Sequence, residues 1–262
     1  PSGDYVAFST NKTNQMFHMK DKNRIEVFDS ASDVLVYDVK NHRVLTDSLL
    51  FSKDAFETFP SFSPDGKTLY FSTSMAQQMP KDYKSVKYSL CSISFDAQQG
   101  RFGNQVDTLY SAEKTGKTAA FPRVSPDGRF LAFAQADYGN FLIWHKEADL
   151  YLIDLKDGQV KELPEVNSVE AESYHAWSSN GRWLVFASRR DDGLYSRPYI
   201  AYIDENGKGH KPFVVPQHTP DFYQNSLTSY NVPEFIKEPV SIDKKVIVET
   251  AREGQALKVA AP

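Results

Sequence analysis

Four stretches of the chain place a short apolar run directly behind a glycine turn. Tyr5-Val6-Ala7-Phe8 follows Gly3, and Thr68-Leu69-Tyr70-Phe71 follows Gly66. Phe130-Leu131-Ala132-Phe133 follows Gly128, and Trp183-Leu184-Val185-Phe186 follows Gly181. Each time an aliphatic residue lies three positions after the glycine and a Phe lies five after it. Strand side chains alternate between faces, so these two share one face of a strand. Ahead of the glycine stands a turn, Ser63-Pro64-Asp65-Gly66 or Ser125-Pro126-Asp127-Gly128, with the Pro and Gly a type I turn prefers. A further short strand precedes each turn: Phe59–Phe62, Phe121–Val124 and Tyr174–Trp177.

A third strand recurs as Asp33–Asp38, Asp149–Asp154 and Tyr199–Asp204, with a weaker copy at Ser89–Ser94. A polar turn such as Lys156-Asp157-Gly158 follows, and then a fourth strand such as Gln159–Leu163. Four short strands per repeating unit predict an all-β fold, a β-propeller of four-stranded antiparallel blades. The repeat exceeds the ~40–45 residues of a minimal blade. The excess falls between second and third strands, at roughly 10–32, 73–88, 135–148 and 188–197. Strand order puts those loops on one rim with the connections between blades.

The repeats occupy 1–216, the propeller region, and 217–262 is read as a partly irregular C-terminal extension. Four blades are visible. Pro1-Ser2-Gly3 aligns with the last three positions of the turn, so the first blade is expected to lack its innermost strand and to belong to a larger propeller. Val246–Glu249 is the one internal stretch expected to supply a strand for that slot. Phe8, Phe71, Phe133 and Phe186 are expected to be buried between blades.

The pattern Ser-Pro-Asp-Gly-x-x-Leu-x-Phe, with Ser188-Arg189-Arg190-Asp191-Asp192-Gly193 ahead of the last third strand, resembles the TolB-type propeller repeat. Related repeats occur in the propeller domains of prolyl-oligopeptidase-like proteins. The resemblance implies a periplasmic or exported envelope protein that binds other proteins. Propellers host many unrelated activities, so the resemblance speaks to fold more than to function.

Composition narrows the classes further. Of 262 residues 40% are apolar, and 18 Phe and 14 Tyr favour strands. A net charge of −4 gives no basic face for nucleic acid, and no stretch is apolar enough for a membrane span. The single cysteine, Cys91, reads as a small buried hydrophobe.

Little in the sequence carries catalysis. No Gly-x-Ser-x-Gly elbow occurs. Ser111–Thr118 lacks the first glycine of a phosphate loop and runs into a blade, so it reads as a connection between blades. Ser63–Thr68 is one residue too short for the Asp-box of sialidase-type propellers. The six histidines, among them His18, show no zinc spacing, and no metal or other cofactor is expected. His175 sits in an innermost strand, where it either faces the channel as a binding residue or is a hydrogen-bonded structural histidine. Asp191-Asp192-Gly193 reads as a turn paired to arginine in preference to a calcium loop. Arg189, Arg190, Asp192, Tyr195 and Arg197 form the candidate binding segment, because Arg and Tyr are over-represented at binding hot spots. The alternative is that these arginines pair with Asp191, Asp192, Glu170 or Glu172.

The expected function is a non-catalytic scaffold of the cell envelope that recognises protein or glycan through the loop-rich rim. The alternative is the substrate-gating propeller of a peptidase-like enzyme whose catalytic part lies outside this chain.

Overall fold

The computed structural model describes residues 2–17, 25–254 and 258–260. The first sheet holds β1 (Tyr5–Phe17), β2 (Ile25–Asp38) and β3 (Arg43–Leu45). The second holds β4 (Ala55–Phe62), β5 (Thr68–Met75), β6 (Ser89–Asp96) and β7 (Arg101–Tyr110). A single helical turn, α1 (Ala112–Thr115), leads to the third sheet, made of β8 (Thr118–Val124), β9 (Phe130–Ala136), β10 (Asp149–Asp154) and β11 (Gln159–Glu162). The fourth comprises β12 (Glu172–Trp177), β13 (Trp183–Ser188), β14 (Arg197–Tyr202) and β15 (Phe213–Val214). Every neighbouring pair within a sheet is antiparallel, and strands follow chain order across each sheet. The fold is a β-propeller, and the first blade has three strands.

The turn chemistry is the same in three blades. Gly66, Gly128 and Gly181 stand at φ 73°, 75° and 66°, and each amide donates to the carbonyl of the serine that opens the turn. That serine hydroxyl donates to the acidic or amide side chain two residues on: Ser63 to Asp65, Ser125 to Asp127 and Ser178 to Asn180. It also accepts from the first amide of the next strand, at Thr68, Phe130 and Trp183. The side chain thereby closes the turn and fixes the register of the strand that follows.

The core lies between successive sheets. Leu69 and Phe71 pack toward the first blade, Leu131 and Phe133 toward the second, and Leu184 and Phe186 toward the third. All six are fully buried. The shared strand face of the repeat is thus always the face turned to the preceding blade. In the first blade that face carries Val6 and Phe8. Val6 is 49% exposed and Phe8 is only half-buried, so the expected burial of Phe8 does not hold. Among the described residues no sheet packs on that side of it.

Two other expectations change. The stretch at 10–32 is not a plain loop: β1 and β2 continue as a ribbon, paired from Tyr5↔Asp38 to Phe17↔Ile25. His18 lies outside the described residues. Val246–Glu249 belongs to a helix, α2 (Lys244–Glu253), and fills no strand slot. The β-branched run favours a strand, but no sheet edge meets it, and the Asp243 side chain accepts from the Lys245 amide to cap a helix. Near the end of the chain, Ala260 instead forms a parallel bridge with Arg43, on the outermost strand of the first blade.

Candidate functional site

The connections between second and third strands do meet on one face, and the ribbon of the first blade binds them together. Asp29, from β2, is 2% exposed. Its carboxylate accepts from Asn11 Nδ2 at 2.7 Å, Thr13 Oγ1 at 2.6 Å and Asn140 Nδ2 at 2.6 Å. The first two hold the ribbon to itself, and the third reaches the β9–β10 connection of the third blade. Glu26, three residues earlier in β2 and equally buried, accepts from Tyr138 Oη at 3.0 Å and pairs with His145 Nε2 at 3.3 Å. His145 Nδ1 lies 3.6 Å from Glu147, beyond hydrogen-bond length but within ion-pair reach. Burial alone would discharge this imidazole, yet Glu147 and Glu26 raise its pKa to about 9. The imidazolium in turn holds Glu147 down at about 2.

The connections also bond to each other. Gly139 N donates to Val86 O at 2.8 Å, and Thr118 Oγ1 donates to Gly139 O at 2.7 Å. Lys146 pairs with Glu170 at 2.7 Å, and Arg189 Nη1 donates to Ile143 O at 3.3 Å. A face made of long connections is therefore cross-braced from the first blade to the fourth.

The segment singled out in the sequence, 189–197, lies at the fourth-blade end of this face. Arg190 is drawn inward: it pairs with the fully buried Glu172 at 3.0 Å, donates to Val166 O at 2.7 Å and stacks on Tyr199 with its guanidinium 4.5 Å from the ring. Burial raises the Glu172 pKa, against the hydrogen bonds from Ser188 and Ser168 and the charge of Arg190. Arg189 donates twice to Leu194 O and lies over Trp144. Asp192 accepts the amides of Leu194 and Tyr195, both at 2.8 Å, which closes the loop. Arg197 is 3% exposed and grips the C-terminal extension through Thr228 O, Tyr223 O and Ser226 O, with Asp192 3.8 Å away. Its guanidinium lies over Tyr195 and Tyr223. The arginines thus hold the loop in shape, and the groups left facing outward are Leu194, 61% exposed, with the half-buried Tyr195 and the exposed Asp192.

His175 is elsewhere, in β12. The first strands of adjacent blades touch one another, as β4 with β8 and β8 with β12, so these strands line the axis. His175 is 3% exposed, and neither ring nitrogen has a hydrogen-bond partner. The backbone of Ala132 and Phe121 approaches the ring without hydrogen-bond geometry. Burial lowers its pKa to about 4, with the nearby Arg123 charge acting in the same direction. No group of three or more His, Cys, Asp or Glu among the described residues is placed to hold a metal ion.

Sequence reasoning did not reach Glu26, Asp29, Asn140 or Arg123. The first three make contacts that span more than a hundred residues of chain. Arg123 carried one signal, its place two residues after an innermost-strand aromatic in the repeat.

No family model matches the sequence, and no curated protein matches it. Solved structures do resemble it. TolB from Acinetobacter baumannii shares 19% identity over 79% of this chain and 41% of its own, with a TM-score of 0.46. A putative TolB from Agrobacterium tumefaciens shares 17% identity over 72% of this chain and 60% of its own, at 0.48. A puromycin-hydrolyzing peptidase of Mycobacterium tuberculosis shares 15% identity over 80% and 27%, at 0.47. The chain covers less than two thirds of the length of each. These likenesses concern the fold alone: the chain is a β-propeller whose blades resemble those of TolB.

Proposed function

We propose that the chain is a non-catalytic binding scaffold of the bacterial cell envelope, exported or periplasmic, that recognises a protein or glycan through its loop-rich face. The observation behind this reading is the cross-bracing of that face. Long connections ordinarily lose conformational entropy when they bind. Here Asp29, Glu26 and Arg189 hold them in one arrangement beforehand, so a partner meets a formed surface. Arg189, Arg190 and Arg197 act from beneath by shaping the loop, and Tyr195, Leu194 and Asp192 make the contact. An aromatic ring beside a carboxylate suits either a protein hot spot or the apolar face and hydroxyls of a sugar.

A photo-crosslinking side chain at position 195 tests this, with position 157 as the control. Asp157 sits in the β10–β11 turn, on the opposite rim. A defined adduct from 195 and none from 157 is the expected result. Equal labelling from both positions, or labelling from 157 alone, rejects the face.

A further inference from the structure

The axis holds a feature that the loop-rich face does not explain. Phe59, Phe121 and Tyr174 occupy the same place in β4, β8 and β12, each at an interruption of the register with the next strand. All three have left-handed backbone, with φ 52°, 59° and 50°. A bulky residue in that region costs about 1–3 kcal/mol and persists only where the surroundings enforce it. Such strain tends to mark ligand clamps and switch regions. The three rings form a row. Phe59 and Phe121 have centroids 4.0 Å apart, and Phe121 and Tyr174 4.8 Å apart. Tyr174 ends the row and stays partly exposed.

The strands that carry this row also carry two polar groups, one with a single local hydrogen bond and one with no partner at hydrogen-bond geometry. Arg123 follows Phe121 by two residues, is partly buried, and makes one hydrogen bond, to the carbonyl of its neighbour Pro122 at 3.1 Å. No carboxylate among the described residues lies within ion-pair distance of it; Glu234, in the exposed extension, acts only at longer range. His175 follows Tyr174 directly, next to the Phe121 backbone, with both ring nitrogens buried and unpaired. Buried polar atoms are nearly always satisfied, so an imidazole with no partner at hydrogen-bond geometry, in the field of a guanidinium that makes one local hydrogen bond, calls for an explanation.

We propose that Arg123 and His175, with the Phe121 and Tyr174 rings beside them, form an axial site for a carboxylate carried on an aromatic group. The guanidinium offers the forked pair of donors that a carboxylate accepts. The neutral imidazole adds one N–H donor. The site holds one full positive charge, which matches a monoanion; a phosphate dianion would leave an uncompensated charge in a poorly solvated place. The ring of the ligand continues the row at Tyr174, at the offset or edge-on spacing that aromatic pairs adopt. A C-terminal aromatic residue of a peptide and a free aromatic acid both present this chemistry.

The test is a titration of the whole chain with N-acetylphenylalanine, its amide, and a pentapeptide ending in Phe, followed by NMR of labelled histidine. The acid is expected to shift the His175 resonances saturably at millimolar concentration or below. It should also raise the His175 pKa from about 4, because an anion beside the ring favours the imidazolium over the opposing Arg123 charge. Arg123→Gln should weaken binding by about tenfold or more, and Arg123→Lys by less, since Lys keeps the charge and loses the fork. Unchanged melting of both variants would show that the fold survives, and Arg123→Lys alone suffices if Arg123→Gln does not fold. Tighter binding of the pentapeptide identifies a peptide terminus, and equal affinity identifies a free acid. The proposal fails if the amide binds as well as the acid, if binding survives Arg123→Gln in folded protein, or if the His175 resonances do not move.

Discussion

At the scale of single residues, the fold leaves a buried carboxyl oxygen without a partner. Glu57 is 3% exposed, and its Oε2 has no hydrogen-bond partner. Burial, and then the charge of Asp33 across the blade junction, raise its pKa to about 7. A carboxyl with a raised folded pKa binds more protons in the native state than in the unfolded one. It therefore costs stability as pH rises from the ordinary value near 4.5 through about 7. Glu57→Gln should leave stability at pH 5 nearly unchanged and raise it at pH 8 by about 1–3 kcal/mol, read from urea denaturation at the two pH values. A variant less stable than the wild type at pH 8 would contradict this account. His145 acts in the same direction in a higher window. Its raised pKa gives stability that is complete below about 6.5 and is lost as pH passes through about 9. Docking of the first blade should accordingly be firmest in mildly acidic solution.

At the scale of elements, the ribbon of β1 and β2 is tied to the third blade by a few polar contacts. Asn140→Ala removes one donor and leaves Asp29 with two. The expected cost is about 1–3 kcal/mol, the range for a buried group left short of a partner. Hydrogen exchange should quicken in 25–32 and 137–145 while β8 and β9 stay protected. Uniform loosening of all four blades would show that the contact is not a local tie. The ribbon also marks where the sequence stopped being legible. The turns could be read because serine, aspartate and glycine act within six residues, and the strands behind them because apolar positions alternate. From Thr10 to Gln15 the chain is polar throughout, and its strand exists through pairing with 25–38 and through Asp29. The candidate site was legible only in part for a similar reason. The cluster Arg189 to Arg197 stood out in the sequence, but that its arginines point to Glu172, Ile143 and Thr228 depends on segments up to forty-six residues away. Val246–Val248 misled because β-branched residues favour strands only where a sheet edge receives them.

At the scale of the whole molecule, stability resides in the junctions between blades, and the four equivalent phenylalanines should differ accordingly. Phe133 is fully buried between the second and third blades, and Phe133→Ala should cost about 3–5 kcal/mol. Phe8 has no sheet over its outer face, and Phe8→Ala should cost well under half as much, measured by chemical denaturation of both. Equal losses would mean that the outer face of the first blade is covered in solution. The orientation of these residues has a last consequence. Because Leu and Phe always point to the preceding blade, every junction joins two unlike surfaces, which is a heterologous contact in the sense used for subunits. A twofold axis cannot bring two copies of the same such surface into the packing seen between neighbours. In the apolar packing the order of the blades is encoded one junction at a time, and the polar ribbon adds a tie from the first blade to the third. A duplicated blade inserted between the third and fourth blades would leave the tie from the ribbon to the third blade in place and meet surfaces of the same kind on both sides, so this architecture can change its number of units there without inventing a new kind of interface.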